Sequence, residues 1–237
     1  MKSFKKLIRN LAVTSLAVGS VFAGVTGYAT KASAEEVSVL GLWPTSGPYA
    51  DVGPLLDMGA QIALEEVNYK AAGATIKYIT RDSETKPGIA ARRAQGAIDS
   101  DNVKFMVGPW SSGVGLAVTE VAKKNKVAYY FSGGTEDISG KRCHKYAFQW
   151  AANAWTAMDA NLKIFKQANP DAKKIYLFVV DYAFGWTLQK YVEQLAPNYG
   201  LEVVGADRHP LGHREYSSFI TKAMATDPDA IYMINFG

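Results

Sequence analysis

The chain has 237 residues, of which 48% are hydrophobic, 20% charged and 12% aromatic. That excludes a disordered chain, a collagen-like repeat and a disulfide-stapled mini-scaffold. The formal charge of +4 is unevenly spread: residues 1–34 hold Lys2, Lys5, Lys6, Arg9 and Lys31 and no acid, leaving 21 bases against 22 acids from residue 35 onward. The basicity belongs to the leader and gives no support to a nucleic-acid partner.

Residues 1–9 are a cationic start, residues 11–23 an apolar run, and Ala32-Ser33-Ala34 a set of small residues. This order predicts a secretory signal peptide cut after Ala34 and an exported mature chain beginning at Glu35. The competing reading is an uncleaved anchor. Residues 10–30 carry no charge, but Gly, Ser and Thr dilute them, and the strongly apolar part falls short of the ~20 residues a spanning helix needs. Cys143 is the only cysteine, either a buried thiol or half of a bridge whose partner lies outside this sequence.

Along the mature chain, apolar β-branched runs alternate with segments of helical period. Residues 37–43 read as a strand ending in Pro44-Thr45-Ser46-Gly47-Pro48, and residues 55–68 as a helix with Leu56, Ala60, Ala63, Leu64 and Val67 on one face. Residues 75–80, 103–107 and 127–131 read as strands, with helices at 88–98 and 115–124. After a polar stretch at 135–145, residues 146–150, 174–180, 201–206 and 230–236 read as strands, with helices at 154–167, 186–195 and 218–225. Repeated βα units predict parallel sheets with helices on both faces. The chain divides into two such blocks, residues 35–150 and 151–237.

Ligands of open parallel sheets sit beyond the C-terminal ends of the strands, at topological switch points. The residues there are Trp43, Thr45 and Ser46; Trp110, Ser111 and Ser112; Ser132, Gly133, Gly134 and Thr135; and, in the second block, Asp181, Tyr182, Phe184 and Trp186. Hydroxyls and free N–H groups near helix starts suit a carboxylate, and aromatics suit an apolar or ring-bearing ligand body. Plainer roles stay open: Ser111, Ser112 and Thr135 as helix N-caps, and Trp43, Trp110 and Phe184 as core residues. No nucleophile elbow, Walker loop or dinucleotide fingerprint is present. His209 and His213 are four apart, but Pro210 and Gly212 between them argue against a helical zinc pair. No catalytic residue, metal or cofactor is expected.

Seven segments in order resemble a known family. They are residues 39–50 with Gly53; Gly59-Ala60 with Ala63, Glu66 and Asn68; Asp82-Ser83-Glu84 with Pro87 and Ala90; Val107-Gly108-Pro109-Trp110-Ser111-Ser112; Asp181-Tyr182-Ala183-Phe184-Gly185; Tyr216-Ser217-Ser218; and Pro228-Asp229-Ala230-Ile231. Together they resemble the type I periplasmic substrate-binding proteins of branched-chain amino-acid (Leu/Ile/Val) ABC importers. The resemblance implies an α/β type I periplasmic binding fold: two doubly wound parallel-sheet lobes closing over a small ligand, the second lobe incomplete in this chain. It implies a ligand carboxylate held by Ser111, Ser112 and Thr135 with close backbone at Gly133 and Gly134. Phe184 would line the second lobe, standing where the family has Tyr; the strand-end positions add Trp43, Trp110 and Tyr182 to the expected wall, Trp43 standing where many relatives have a smaller residue. The family's acid for an amino acid's ammonium lies further along than residue 237, in a longer chain by on the order of 100–150 residues. A periplasmic, monomeric, non-enzymatic carrier is implied, delivering an amino acid or related carboxylate to membrane permease subunits. The alternatives are a sensor module of the same fold and an exported hydrolase, the latter needing a nucleophile–base pair that the sequence does not offer.

Overall fold

The computed structural model describes residues 35–151 and 153–236. The leader and its cleavage after Ala34 lie outside the described residues. The first sheet contains β1 (Glu36–Trp43), β2 (Lys70–Ala71), β3 (Ala74–Asp82), β4 (Val103–Val107), β5 (Ala128–Phe131) and β6 (Ala147–Gln149), in the spatial order β2-β3-β1-β4-β5-β6. Its helices are α1 (Gly53–Glu66), α2 (Pro87–Asp101) and α3 (Ser112–Asn125). The second sheet, in the order β8-β7-β9, contains β7 (Lys174–Val180), β8 (Glu202–His209) and β9 (Ala230–Ile234), accompanied by α4 (Ala154–Ala168), α5 (Ala183–Leu195) and α6 (Ser217–Met224).

Every pairing is parallel except one. The two-residue β2 pairs antiparallel with β3 through Lys70↔Thr75 and Ala71↔Ala74. The expected strands pair in parallel; β2 is an addition to them, formed because a tight turn at Gly73 (φ +84°) folds the chain straight back. Strand order reverses at β1, between β3 and β4, and again at β7, between β8 and β9. Those two points are where an open α/β sheet leaves a crevice.

Helices α2 and α3 cover one face of the first sheet. Ala90, Ala94 and Ala97 of α2 and Val114, Val118 and Ala122 of α3 close on Leu40, Leu42, Met106, Tyr129 and Phe131. Alanine and valine let two helices approach the sheet closely. The other face carries α1, and Phe105, Tyr130 and Phe148 there remain 45–47% exposed. Coverage of both faces is therefore only partial among the described residues. The predicted inward face of α1 is half-buried at Leu56, Ala60 and Leu64, while Ala63 and Val67 are exposed. The second core is formed by Met158 and Leu162 of α4, Leu188, Val192 and Leu195 of α5, and Ile175, Leu177 and Val179 of β7.

Asp82 fixes the loop after β1. It accepts the N–H groups of Thr45 (2.9 Å), Ser46 (3.2 Å) and Glu84 (2.8 Å) and the Ser46 hydroxyl (2.5 Å). Burial works to raise its pKa, but these hydrogen bonds outweigh it and hold the carboxyl below its ordinary value of 3.8. A depressed carboxyl contributes stability above its unfolded-state value and loses it as pH falls through the folded-state value. Asp82→Asn is therefore expected to flatten the loss of stability below pH ~4, measured as urea midpoints at pH 3 and pH 7. An unchanged acid limb would remove Asp82 from that role.

Candidate functional site

The ends of the two sheets face each other across a cavity of about 280 Å³. From the first sheet come Trp110, just beyond β4, and Ser132, Gly133 and Gly134, just beyond β5. From the second come Tyr182 and Phe184, beyond β7, and Phe236, beyond β9. Ala154, Ala157 and Met158 of α4 and Leu188 of α5 close the side. No Asp, Glu, Lys, Arg or His lies among the described lining residues.

The aromatic wall is self-supporting. Tyr182 stacks on Phe184 with ring centroids 5.9 Å apart at 24°. Phe236 meets Tyr49 and Trp110 at 5.6 Å and Phe184 at 6.0 Å. Tyr49, on the loop after β1, spans the two sheets: its hydroxyl lies 2.6 Å from that of Tyr182 and donates to the Phe236 carbonyl at 3.2 Å. Burial, then the bond to Tyr49, push the Tyr182 phenol far above its ordinary range; burial likewise raises Tyr49. Both phenols are thus neutral donors and acceptors at neutral pH. A second set of ties lies behind the cavity. The Thr135 and Thr187 hydroxyls are 3.3 Å apart, and Glu136 accepts the Tyr191 hydroxyl and the Trp155 N–H (3.2 Å). The bond to Glu136, with burial, pushes the Tyr191 phenol up to about 12.

Of the nine residues singled out from sequence, Trp110, Gly133, Gly134, Tyr182 and Phe184 line the cavity. Trp43 does not: it is 5% exposed and its indole N–H donates to the Tyr78 hydroxyl at 2.8 Å. Ser111, Ser112 and Thr135 are buried just behind the lining. Ser112 Oγ accepts the Thr135 N–H at 3.2 Å and so braces the glycine loop. Ser111 occupies the N-cap position of α3, yet its side chain makes no capping bond. Helix α5 begins at Ala183, earlier than the sequence predicts, so Phe184 sits in its first turn instead of in a loop. Phe236 was not among the residues singled out: the run 230–236 reads as one strand, but β9 stops at Ile234 and frees Phe236 to turn into the cavity. The pair His209 and His213 lies elsewhere. The ring nitrogens of His209 are engaged by Asn235 Oδ1 and the Pro210 carbonyl.

Two α/β lobes thus bring their strand-order switch points to one shared apolar cavity, as in a type I periplasmic binding fold. The chain matches the Periplasmic binding protein family over residues 36–237 and belongs to it. It is 26% identical over 219 residues to Leu/Ile/Val-binding protein homolog 4 of Brucella abortus (strain 2308), covering 88% of this chain and 52% of that protein. Among solved structures, it is similar to an amino acid ABC transporter substrate-binding protein from Pseudomonas fluorescens Pf-5, at 31% identity and TM-score 0.77, covering 86% of this chain and 54% of that one. It is also similar to a periplasmic binding protein from Burkholderia mallei, at 26% identity and TM-score 0.79, with 86% and 54% covered. The chain spans about half the length of the relatives it matches.

Proposed function

We propose that this chain belongs to the extracytoplasmic solute-binding component of an ABC importer, exported by a leader cut after Ala34. It captures a small carboxylate with a flat apolar body by closing lobe 35–150 onto lobe 151–237, and hands it as a monomer to membrane permease subunits. We assign it no covalent chemistry. The observation that carries this reading is the cavity itself: rings of Trp110, Tyr182, Phe184 and Phe236 facing glycine backbone, with no ionisable side chain other than the phenol of Tyr182 among the described lining residues. A ring or branched apolar body fits such walls, and the peptide groups of Gly133 and Gly134 on the cavity lining suit its carboxylate. Closure then follows from differential affinity, since the ligand contacts both lobes only in the closed form.

Native mass spectrometry of the full-length protein with its co-purified ligand tests this reading, followed by calorimetry with benzoate, L-phenylalanine and L-leucine. Capture of a small carboxylate is expected; failure to hold any of the three, with no ligand co-purifying, overturns it. The hydroxyl behind the glycine loop is tested separately. If Ser111 reaches the ligand carboxylate, Ser111→Ala lowers affinity more than tenfold and leaves the melting temperature in place. If it does not reach the ligand, affinity stays the same.

A further inference from the structure

We propose that Gln149, the last residue of β6, is the positioning residue that turns the glycine loop into an anion cradle; this rests on the carboxylate reading above. Its side-chain amide nitrogen donates to the Gly133 carbonyl at 3.0 Å and to the Thr135 carbonyl at 2.8 Å. Its amide oxygen accepts the Ser139 hydroxyl at 2.6 Å. The orientation of the amide is fixed by its partners: two carbonyls can only accept, so the NH₂ group must face them.

The consequence follows from peptide geometry. A trans peptide is planar, and the N–H of one residue points opposite to the C=O of the residue before it. Gln149 is outside the cavity lining, whereas Gly133 and Gly134 are part of it. Holding the Gly133 carbonyl toward Gln149 therefore turns the Gly134 N–H toward the cleft. Neither the Gly133 nor the Gly134 N–H has a protein partner among the described hydrogen bonds. The next peptide is set the opposite way, its N–H from Thr135 going to Ser112 Oγ at 3.2 Å. One amide side chain, braced by Ser139, thus keeps two acceptor carbonyls from turning toward a bound anion and presents a donor in their place. Without it, the Gly133–Gly134 peptide is free to flip, and a carbonyl facing a carboxylate repels it.

The test uses the full-length protein with benzoate and L-leucine as anionic probes and benzyl alcohol as a neutral ring. Gln149→Met keeps the length and removes both donors; Gln149→Glu keeps the shape and exchanges donor for acceptor. Both are expected to lower affinity for whichever carboxylate the wild type captures by tenfold or more. Binding of benzyl alcohol should change less than twofold, a selectivity that a purely structural role would not produce. Ser139→Ala leaves both bonds to the loop carbonyls but frees the amide; about a fivefold loss is expected, the worth of one hydrogen bond. It also serves if the Gln149 variants fail to fold. Wild-type protein that captures neither carboxylate overturns the functional reading itself. Wild type that binds while Gln149→Met and Ser139→Ala bind equally well overturns only the role of Gln149, as does an equal loss for benzyl alcohol.

Discussion

Gly185→Ala is expected to cost about 3 kcal/mol of stability, at the upper end of overpacking penalties. A Cβ at this position would lie 1.9 Å from the Val180 carbonyl oxygen and 3.0 Å from Val179 Cγ1. The obstructing atom is backbone at the end of β7, the central and most buried strand of the second sheet. It cannot swing aside as a side-chain terminus would. To admit a methyl group, the first turn of α5 must lift away from β7 and carry Phe184 out of the cavity wall. The full-length protein should show a lower urea midpoint at unchanged slope. Gly59→Ala is the reference, since no atom lies within 4 Å of a Cβ there and α1 merely gains helix propensity. If Gly185→Ala costs less than Gly59→Ala changes, the close approach of α5 to β7 is not what fixes Phe184.

This glycine also shows what local sequence can reveal. The strongly apolar run of β7, buried at every position after Lys174, matches the expected bounds 174–180, because burial on both faces leaves little room for a polar residue; β4 also matches its expected bounds 103–107, although Lys104 and Phe105 are exposed. Helix starts were harder to place. Expected starts at 115 and 186 become Ser112 and Ala183, because Gly113 and Gly185 interrupt the apolar period in the first turn of each helix. In fact Gly115 and Gly185 are close-packing positions: a Cβ on Gly115 would fall 2.1 Å from the Phe131 ring. The two-residue β2 has no period to detect, and helical spacing in α1 cannot say which apolar face finds a partner. Much of the cavity wall was legible, because switch-point topology names the strand ends that matter and the residues there are few. The parts missed depend on distant pairings. Tyr49 works through Tyr182, 133 residues away, and Phe236 turns inward only because β9 ends two residues earlier. Gln149 sits in a short edge strand with no motif, and its role comes from two carbonyls 14 and 16 residues before it.

The second large effect is expected at Gly134. This residue is not in the left-handed region, so a side chain there meets no backbone strain; the obstacle is Phe184, whose Cδ2 and Cε2 would lie 2.7 Å and 2.9 Å from a Cβ. Gly134 belongs to the first lobe and Phe184 to the second, so the overlap falls between the lobes and within neither core. Phe184 has little freedom to yield, since Tyr182 stacks on one side and Phe236 meets it on another. Gly134→Val is therefore expected to leave the melting temperature of the unliganded protein nearly unchanged and to lower ligand affinity by on the order of a hundredfold, the weight of a central contact in a desolvated site. Calorimetry with the captured carboxylate measures it. The double variant Gly134→Val with Phe184→Ala removes the ring the valine strikes. If the steric account holds, it binds more tightly than Gly134→Val alone although it has lost a wall of the cavity; additive losses would instead mean that the two residues act on the ligand independently.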